Sequence, residues 1–449
     1  MRQNVLLIAS DFAPSSGQTA RFPTKLAKYL TRLGFEVTVL TGECEGGKDP
    51  VLRADLPECG RVLRTSVHAK WSLFARLLRR PIGTQKMRGT THVPVAKDEM
   101  RPNESHGRFS NFVRGAFLSR RVKKQEQSFY RAALAYVQHS GLDLSHFDVM
   151  ISTYAPMSAH MVALALKAKC PTLKWISDFR EALPKSAPRS LCRFYNKWKK
   201  RVLAHSDVVT ASGVPLMKEL CGKRANARGT VIPNGFDAQD LLRIPFAEEA
   251  ERRPFTVVIK SPFDLRRTDV GVLFSAVEDL MKSGRVRRDQ IVFEYYGSRR
   301  TAAYLNSLIE QMDMPPYFYD CGSVRKMELL SAQRRAQLLV LPAWDWRAER
   351  GEVPVGLYEA LALQKPVLAL LFGDVAGGEF SRIMRSLRIG YCFEEEVGRD
   401  SYEGMKKYIA ECLTYWRTRS RDLYEPDEKR YRSLDFEVLA RQWAEIIND

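Results

Sequence analysis

The residues with the clearest chemical potential lie in Arg350-Gly351-Glu352-Val353-Pro354-Val355-Gly356-Leu357-Tyr358-Glu359. This stretch reads as a loop feeding a short helix, with Pro354 expected at the first helical position, where its missing N–H costs nothing. The start of such a helix offers unpaired amides and the positive end of a dipole, which together suit an anion and above all a phosphate. Glu359, about one and a half turns on, can reach a ligand held there. An ordinary loop-helix-strand unit of an α/β protein reads the same way, because Lys365-Pro366-Val367-Leu368-Ala369-Leu370 follows as turn and buried strand. Two further candidates stand earlier in the chain. Asp178-Phe179-Arg180-Glu181 closes a predicted strand, and charged groups at a strand's carboxyl end sit where open α/β sheets bind ligands. His160 opens an apolar helix, where a lone histidine is more often a satisfied core residue than a reactive one.

The elements that must position these groups alternate strand with helix. Val5 to Ser10 is a continuous apolar run like a buried parallel strand, Thr19 to Gly34 a helix with Leu26, Ala27, Leu30 and Leu33 on one face, and Phe35 to Leu40 a second strand. Gly17 stands alone between them, without the G-x-G-x-x-G of a dinucleotide site. Ser119 to His139 reads as a long helix, with strands following at Asp148–Ser152, Leu173–Ser177, Val208–Thr210 and Val231 onward. A second series opens at Phe255–Lys260 and continues with strands at Ile291–Tyr296, Leu338–Leu341 and Val367–Leu371. The expected fold class is therefore α/β, two Rossmann-like doubly wound domains facing a central cleft. The first domain is placed at 1–237 with a basic insertion at about 61–130, a charged linker at 238–253, and the second domain at 254–431. A last helix in 432–449 has no strand after it and is expected to pack back on the first domain.

Length and composition agree. A chain of 449 residues exceeds the roughly 250–300 at which one core stops growing, so two domains of about 200 are the natural division. No run of about 20 apolar residues occurs, and Met1 to Asn4 lead straight into a strand, so neither a membrane span nor a signal peptide is expected and the location is cytoplasmic. Eight scattered cysteines with no C-x-x-C pair point to reduced thiols and away from zinc.

The formal net charge of +19 is concentrated. Arg61 to Tyr130 holds 16 Lys/Arg against 4 Asp/Glu, an excess of twelve in less than a sixth of the chain. Such an excess attracts polyanions, whether nucleic acid or anionic lipid. Trp71, Phe74, Leu77 and Leu78 fall on one helical face and Arg76, Arg79 and Arg80 on the other, which is the pattern of a helix lying in a membrane interface.

Taken together, Phe12-Ala13-Pro14-Ser15-Ser16-Gly17, Ser152 to His160, Asp178-Phe179-Arg180, Ile232-Pro233-Asn234-Gly235-Phe236-Asp237 and Gly351 to Glu359 resemble, in that order, glycosyltransferase family 4, with its GT-B fold. The resemblance spans nearly the whole chain. It implies retaining, metal-independent transfer of a sugar from a nucleoside diphosphate donor, and the chain indeed carries no D-x-D metal motif. Fixed positive groups must then carry the leaving pyrophosphate. The resemblance implies that Glu359 holds the donor ribose, with Glu352 nearby, and that amides around Val355, Gly356 and Leu357 receive the diphosphate. It also implies that Arg266 or Arg267, after Lys260, binds phosphate, that Gly17 and Gln18 lie under the donor, and that Val324 flanks the base. A guanidinium suits a pyrophosphate gaining charge as the glycosidic bond breaks. His160 and Asp178 are the catalytic candidates, able to orient sugar hydroxyls and stabilise oxocarbenium character. Gly351 stands where many members carry a first glutamate, Gln18 where a second glycine is expected, and Gly356 where related sequences carry a lysine.

Three functions follow from these features. The first is a glycosyltransferase that extends a glycan or lipid-linked acceptor in bacterial surface polysaccharide synthesis, peripheral on the inner face of the membrane and docked through the basic segment. The second is a GT-B sugar-nucleotide-binding or regulatory protein without transferase activity, suggested by the substitutions just named. The third is a nucleic-acid-binding protein, which charge alone supports, because no stacking aromatics are interleaved with the arginines of that segment. Donor base, sugar and acceptor are not legible.

Overall fold

The computed structural model describes residues 3–44, 48–65, 108–182, 188–222, 229–245, 254–261, 263–265, 267–347, 353–419 and 421–449, with the side chains of 18 and 108–118 excepted. The amphipathic stretch expected at Trp71 to Arg80, together with Arg266 and Glu352, lies outside them.

Among the described residues, thirteen strands make two sheets, and every paired neighbour runs parallel. The first sheet comprises β1 (Asn4–Ile8), β2 (Glu36–Gly42), β3 (Arg61–Thr65), β4 (Val149–Tyr154), β5 (Lys174–Phe179), β6 (Val208–Ala211) and β7 (Gly229–Val231), in the order 3-2-1-4-5-6-7. The second comprises β8 (Phe255–Lys260), β9 (Ile291–Tyr296), β10 (Tyr317–Gly322), β11 (Leu338–Trp344), β12 (Val367–Phe372) and β13 (Gly390–Glu394), in the order 10-9-8-11-12-13. In each sheet the strand order reverses once, between β1 and β4 and between β8 and β11. Ligands of open parallel sheets bind outside the carboxyl ends at that reversal.

The helices that matter for the cleft are α1 (Gln18–Arg32), α2 (Pro50–Asp55), α3 (Arg108–Ser140), α4 (Ser158–Lys169), α5 (Arg189–His205) and α6 (Val214–Cys221) in the first domain. In the second they are α7 (Gly271–Lys282), α8 (Arg299–Ile309), α9 (Lys326–Arg335), α10 (Val355–Leu363), α11 (Glu379–Leu387) and α12 (Arg399–Arg419), followed by α13 (Glu428–Ser433) and α14 (Phe436–Asn448). Central strands are apolar on both faces, as sheets covered by helices on both sides require: Val5, Leu6, Leu7 and Ile8 are wholly buried, and β12 is buried throughout. The apolar stripe of α1 expected from the sequence is buried through Leu26, Ala27 and Leu30, whereas Leu33 stays exposed near the helix end. Gly34, at φ +94°, ends that helix in a conformation glycine adopts without strain.

Helix α14 returns to the first domain. Phe436 and Trp443 pack on Phe22 at ring centroid separations of 5.6 and 6.2 Å, and Lys174 Nζ donates to the Ile446 carbonyl at 2.7 Å. The crossing strand is pinned at Phe236, whose N–H donates to Leu434 O and whose carbonyl accepts from Phe436 N–H at 2.9 Å.

The stretch expected to be a charged linker is, in its first part, a 3-10 turn at Ala238–Arg243 fastened to α1 and α2 by a buried ion cluster. Lys25 and Lys28 of α1, both wholly buried, project among three aspartates. Lys25 Nζ lies 2.7 Å from Asp55 and 2.7 Å from Asp237 and also pairs with Asp240, while Lys28 Nζ lies 3.0 Å from Asp55 and 2.7 Å from Asp237. Arg243 closes the set at 2.5 Å from Asp55, so three cations face three carboxylates. Tyr29 donates to Asp237 at 2.8 Å. Burial opposes charge on Lys25, but the aspartates outweigh it and raise its pKa above the ordinary lysine value. Burial also opposes charge on Asp237, and Lys25 and Lys28 overcome it to hold that carboxyl below the usual range. Burial pushes Asp240 the other way, Asp237 adding to it.

Removing one partner of such a cluster leaves an uncompensated buried charge, which costs about 3–5 kcal/mol. Lys25→Met should therefore lower the urea midpoint of the chain by that much stability without altering its helix content. An unchanged midpoint would mean that the cluster does not hold the domains' junction.

Candidate active site

The carboxyl ends of the two sheets face one another, and the second domain supplies most of the charge between them. Lys260 is the last residue of β8, at the reversal of strand order. Its Nζ pairs with Glu359 Oε2, while Lys326, at the start of α9, pairs with Oε1 of the same carboxylate. Glu359 is reached from α10, whose Leu357, Tyr358, Ala360 and Leu361 bury the rest of the helix in the core. Burial would raise the Glu359 carboxyl, but Lys260, Lys326 and Arg21 overcome it and hold the pKa far below the usual carboxylate range. Burial lowers the Lys260 ammonium while Glu359 supports it and Lys326 and Arg21 oppose it.

Arg21 comes from the opposite domain. It stands in the first turns of α1, its Nη2 3.4 Å from Asp240 Oδ2, and its field reaches both Glu359 and Lys260. Two lysines therefore hold one carboxylate at the mouth of α10, with the Arg21 guanidinium, paired to Asp240, adding its field from the opposite domain. A dianion is the natural complement.

Pro354 caps α10 instead of occupying its first turn: its ψ of 133° is extended, and Val355 is the first helical residue. Leu357 donates its N–H to the Pro354 carbonyl at 2.9 Å and its side chain is buried, so it offers a ligand nothing. The amides of Val355 and Gly356 are those left at the helix start. Gly356 is fixed by its neighbours, because a Cβ there would lie 2.6 Å from a Leu341 methyl and 3.4 Å from Lys260 Cε. Lys260 thus passes beneath the helix start in room that only glycine leaves.

Arg267 lies over the Trp344 ring, 4.1 Å from its centroid, and 3.6 Å from Asp264. Trp344 ends β11, so this guanidinium stands on the other side of the strand reversal from Lys260. Val324 is half-buried in the loop between β10 and α9, packed on the same core as α10. Gly17 is the N-cap residue of α1. A Cβ on it would meet Asp11 Oδ2 at 2.2 Å, the oxygen that accepts from Thr19 Oγ1 at 2.8 Å. Gln18 is the first helical residue beside it.

His160 and Asp178 are placed inside the first domain, both with no exposed surface. His160 Nδ1 is 2.7 Å from Ser152 Oγ, which also accepts from Trp175 Nε1 at 2.9 Å, and its ring packs tilted against Phe179 with centroids 4.6 Å apart. Burial pushes its pKa down to about 3, so the imidazole is neutral at physiological pH. Asp178 Oδ1 accepts from Thr210 Oγ1 at 2.7 Å and from Arg180 Nε at 2.9 Å. Burial raises its pKa and Arg180 opposes the rise. Arg180 continues outward, donating to Ile232 O at 2.9 Å and stacking 4.0 Å over Phe22. Both candidates hold the cleft-side ends of β4 and β5 in place and do not line the cleft. Lys326, Arg21 and Trp344 are the site residues that sequence reading missed.

Among the described residues, one group of carboxylates could hold a metal, Asp55, Asp237 and Asp240, with donor oxygens within 4.8 Å of one another. Lys25 and Lys28 already fill its centre. The positive charge of the cleft comes from side chains.

Two Rossmann-like domains with their strand ends opposed across such a cleft define the GT-B class of glycosyltransferases. Residues 17–235 match the family described as glycosyl transferase 4-like domain, and the chain as a whole has the GT-B fold. Among solved structures, it is similar to the lipopolysaccharide outer core galactosyltransferase WaaB, at 12% identity and a TM-score of 0.51 over 99% of both chains. It is similar also to Anabaena Alr3699/HepE in complex with UDP-glucose, at 12% identity and 0.50 over 100% of both. A third is the α,α-trehalose 6-phosphate synthase of Burkholderia multivorans, at 12% and 0.55 over 100% of this chain and 96% of that one. These likenesses establish the fold. No curated protein matches the sequence.

The buried histidine yields a test. An unfolded histidine takes up a proton below about pH 6.5 and the native one only near pH 3, so native stability is lost as pH falls between those values. The slope approaches about 1.4 kcal/mol per pH unit. His160→Asn should flatten that slope between pH 6.5 and 5 in urea unfolding, whatever its effect at pH 7. Equal slopes in the two proteins would mean that His160 is not sequestered as described.

Proposed function

We propose that this protein moves a sugar from a nucleoside diphosphate donor to a glycan or lipid-linked acceptor, with retention, in the synthesis of a bacterial surface polysaccharide at the inner face of the membrane. The observation that carries the reading is the pair of lysines, Lys260 and Lys326, on Glu359 at the open start of α10, with the field of Arg21 added from the first domain. A diphosphate placed there meets the free amides of Val355 and Gly356, the helix dipole and two or three fixed cations. These groups strengthen their hold as the pyrophosphate gains charge, which lowers the barrier to its departure. No metal is required for that step.

Glu359, oriented by its two lysines, accepts from the ribose hydroxyls, and Val324 borders the base. Arg267, stiffened on Trp344, is the second phosphate ligand; Arg266 and Glu352 are proposed as further donor contacts on the resemblance alone. Gly17 and Gln18 bring the first domain's loop beneath the donor. His160 and Asp178 act as positioning residues, through Ser152 and Arg180 respectively. Retention is supported by the resemblance to family 4, and the lipid-side location by the basic segment. No helix of the described residues is long and apolar enough to cross a membrane.

A second reading has one specific support: both oxygens of Glu359 are already taken by lysines. A protein that binds a sugar nucleotide without transferring from it would look the same.

The first experiment is a thermal-shift screen of UDP, GDP and their sugar conjugates in the presence of a chelator. A ligand at a hundred times its dissociation constant adds about 2.7 kcal/mol of stability. No shift with any nucleotide would overturn both readings. With the best ligand, Glu359→Gln should weaken binding roughly ten- to hundredfold, since charge-assisted hydrogen bonds contribute about 1.5–3 kcal/mol. An unchanged dissociation constant removes Glu359 from the site. Slow release of free nucleoside diphosphate from the bound sugar nucleotide separates a transferase from a pure binder.

A further inference from the structure

The basic excess of this chain is not confined to the segment around Arg76. Helix α5 reads Arg189-Ser190-Leu191-Cys192-Arg193-Phe194-Tyr195-Asn196-Lys197-Trp198-Lys199-Lys200-Arg201 and on to His205 without one acidic residue. Its buried side, Leu191, Tyr195 and Val202, packs into the first domain. Arg189, Arg193, Lys197, Lys200 and Arg201 recur at helical spacing on the exposed side. Helix α3 runs beside it and adds Arg120, Arg121, Lys123, Lys124 and Arg131, its acid Glu126 being turned inward and buried. Five basic residues on α5 and five on α3 thus share one wall, and among the described residues the two helices present no exposed carboxylate between Ser119 and Arg131 or along α5.

Aromatic rings lie in the seam between the two helices. Phe194 and Trp198 are half-buried, 6.4 Å apart, and Tyr130 of α3 sits 6.5 Å from Trp198. The cations lean over them: Arg201 is 4.9 Å from the Trp198 centroid and Lys123 5.8 Å from that of Phe194. Cations rimming amphipathic rings that are neither buried nor free is the composition of an interfacial contact, in which rings meet the headgroup layer and cations meet phosphates. Helix α5 follows β5, so its first turn lies at the carboxyl end of the sheet, the side that opens on the cleft.

We propose that the α3–α5 wall is a docking surface for an anionic phospholipid bilayer, a second contact beside the Trp71 to Arg80 stretch. The proposal rests on the reading that the acceptor is presented at a lipid surface, but it stands or falls on a different measurement. Two parallel helices with clustered charge cover an area, which a planar sheet of phosphates matches better than a single duplex does. The geometry also keeps the open end of the cleft next to the surface, where a lipid-linked acceptor would be delivered.

The test is co-sedimentation of the full chain with phosphatidylcholine vesicles, with and without phosphatidylglycerol, as salt is raised. Each basic residue near an anionic surface contributes about 1 kcal/mol, a factor of about five. Arg193→Gln, Lys197→Gln and Lys200→Gln together should lower the partition coefficient on the order of a hundredfold, while the nucleotide-induced thermal shift stays as in the parent. A control triple in the second domain, Arg285→Gln, Arg299→Gln and Arg300→Gln, should change partitioning by less than about fivefold. Equal loss in the two triples would reduce the effect to net charge and overturn the surface. So would vesicle binding that survives the α5 triple and vanishes when Arg76, Arg79 and Arg80 are replaced by glutamine. Tighter binding of single-stranded RNA than of anionic vesicles, with loss in the α5 triple, would assign the wall to nucleic acid instead. Vesicle binding without any nucleotide shift would leave the wall in place and remove the proposed function.

Discussion

Lys25 and Lys28 among Asp55, Asp237 and Asp240 are the constraint on which the arrangement of the two domains depends. Ions so deeply buried are stable only when every one finds its partner, and a position that satisfies three aspartates from two separate segments is nearly unique. The chain leaving the first domain at Asp237 must run where α1 and α2 place their charges. Arg243 and Tyr29 then fix it from either side. Because Arg21 belongs to the same helix and touches the same Asp240, the cluster also decides how far a cation of the first domain reaches into the cleft.

The cleft repeats this logic with an opposite outcome. In the junction Lys25, Lys28 and Arg243 match the three aspartates one to one, Arg21 touching Asp240 only from the cleft side, and the buried centre of the cluster is neutral. Around Glu359 the cations outnumber the acid, and the result is a preorganised positive site. The distinction lies in the count of charges and not in their types, since lysine, arginine and carboxylate serve in both. Gly356 belongs to the same design: a Cβ there would lie 2.6 Å from a Leu341 methyl, so the helix start packs on β11 beside Lys260 only with glycine in that place.

Much of this was legible in the sequence. Central strands such as Phe255–Lys260 and Ile291–Tyr296 were read with their true limits, because strands covered on both faces are uninterrupted apolar runs. Edge strands were not: β3, β10 and β13 are short or half-exposed and carry Arg61, Asp320 and Tyr391 where a core strand would carry aliphatics. The linker was misread for a related reason, since charge looks like solvation in a sequence and only the fold shows Asp240 to be buried. The helix start that carries Glu359 has a signature in the sequence. Lys326 and Arg21 have none, for each lies far away in the chain and meets Glu359 only through the packing of α9 and α1. His160 and Asp178 were expected near the chemistry and lie a layer beneath it, an ambiguity inherent in polar residues at strand and helix ends.

Glu126 carries a mechanical consequence. From the inward side of α3 it accepts from the amides of Met157 and Ser158 at 3.2 and 2.7 Å, capping α4, and from Tyr195 of α5 at 3.0 Å. Burial raises its pKa against those bonds. Three helices and the turn after β4 therefore meet at one carboxylate. The turn beside Met157, at the rim of the cleft, is thus tied through a single side chain to the helices whose outward faces carry the basic residues.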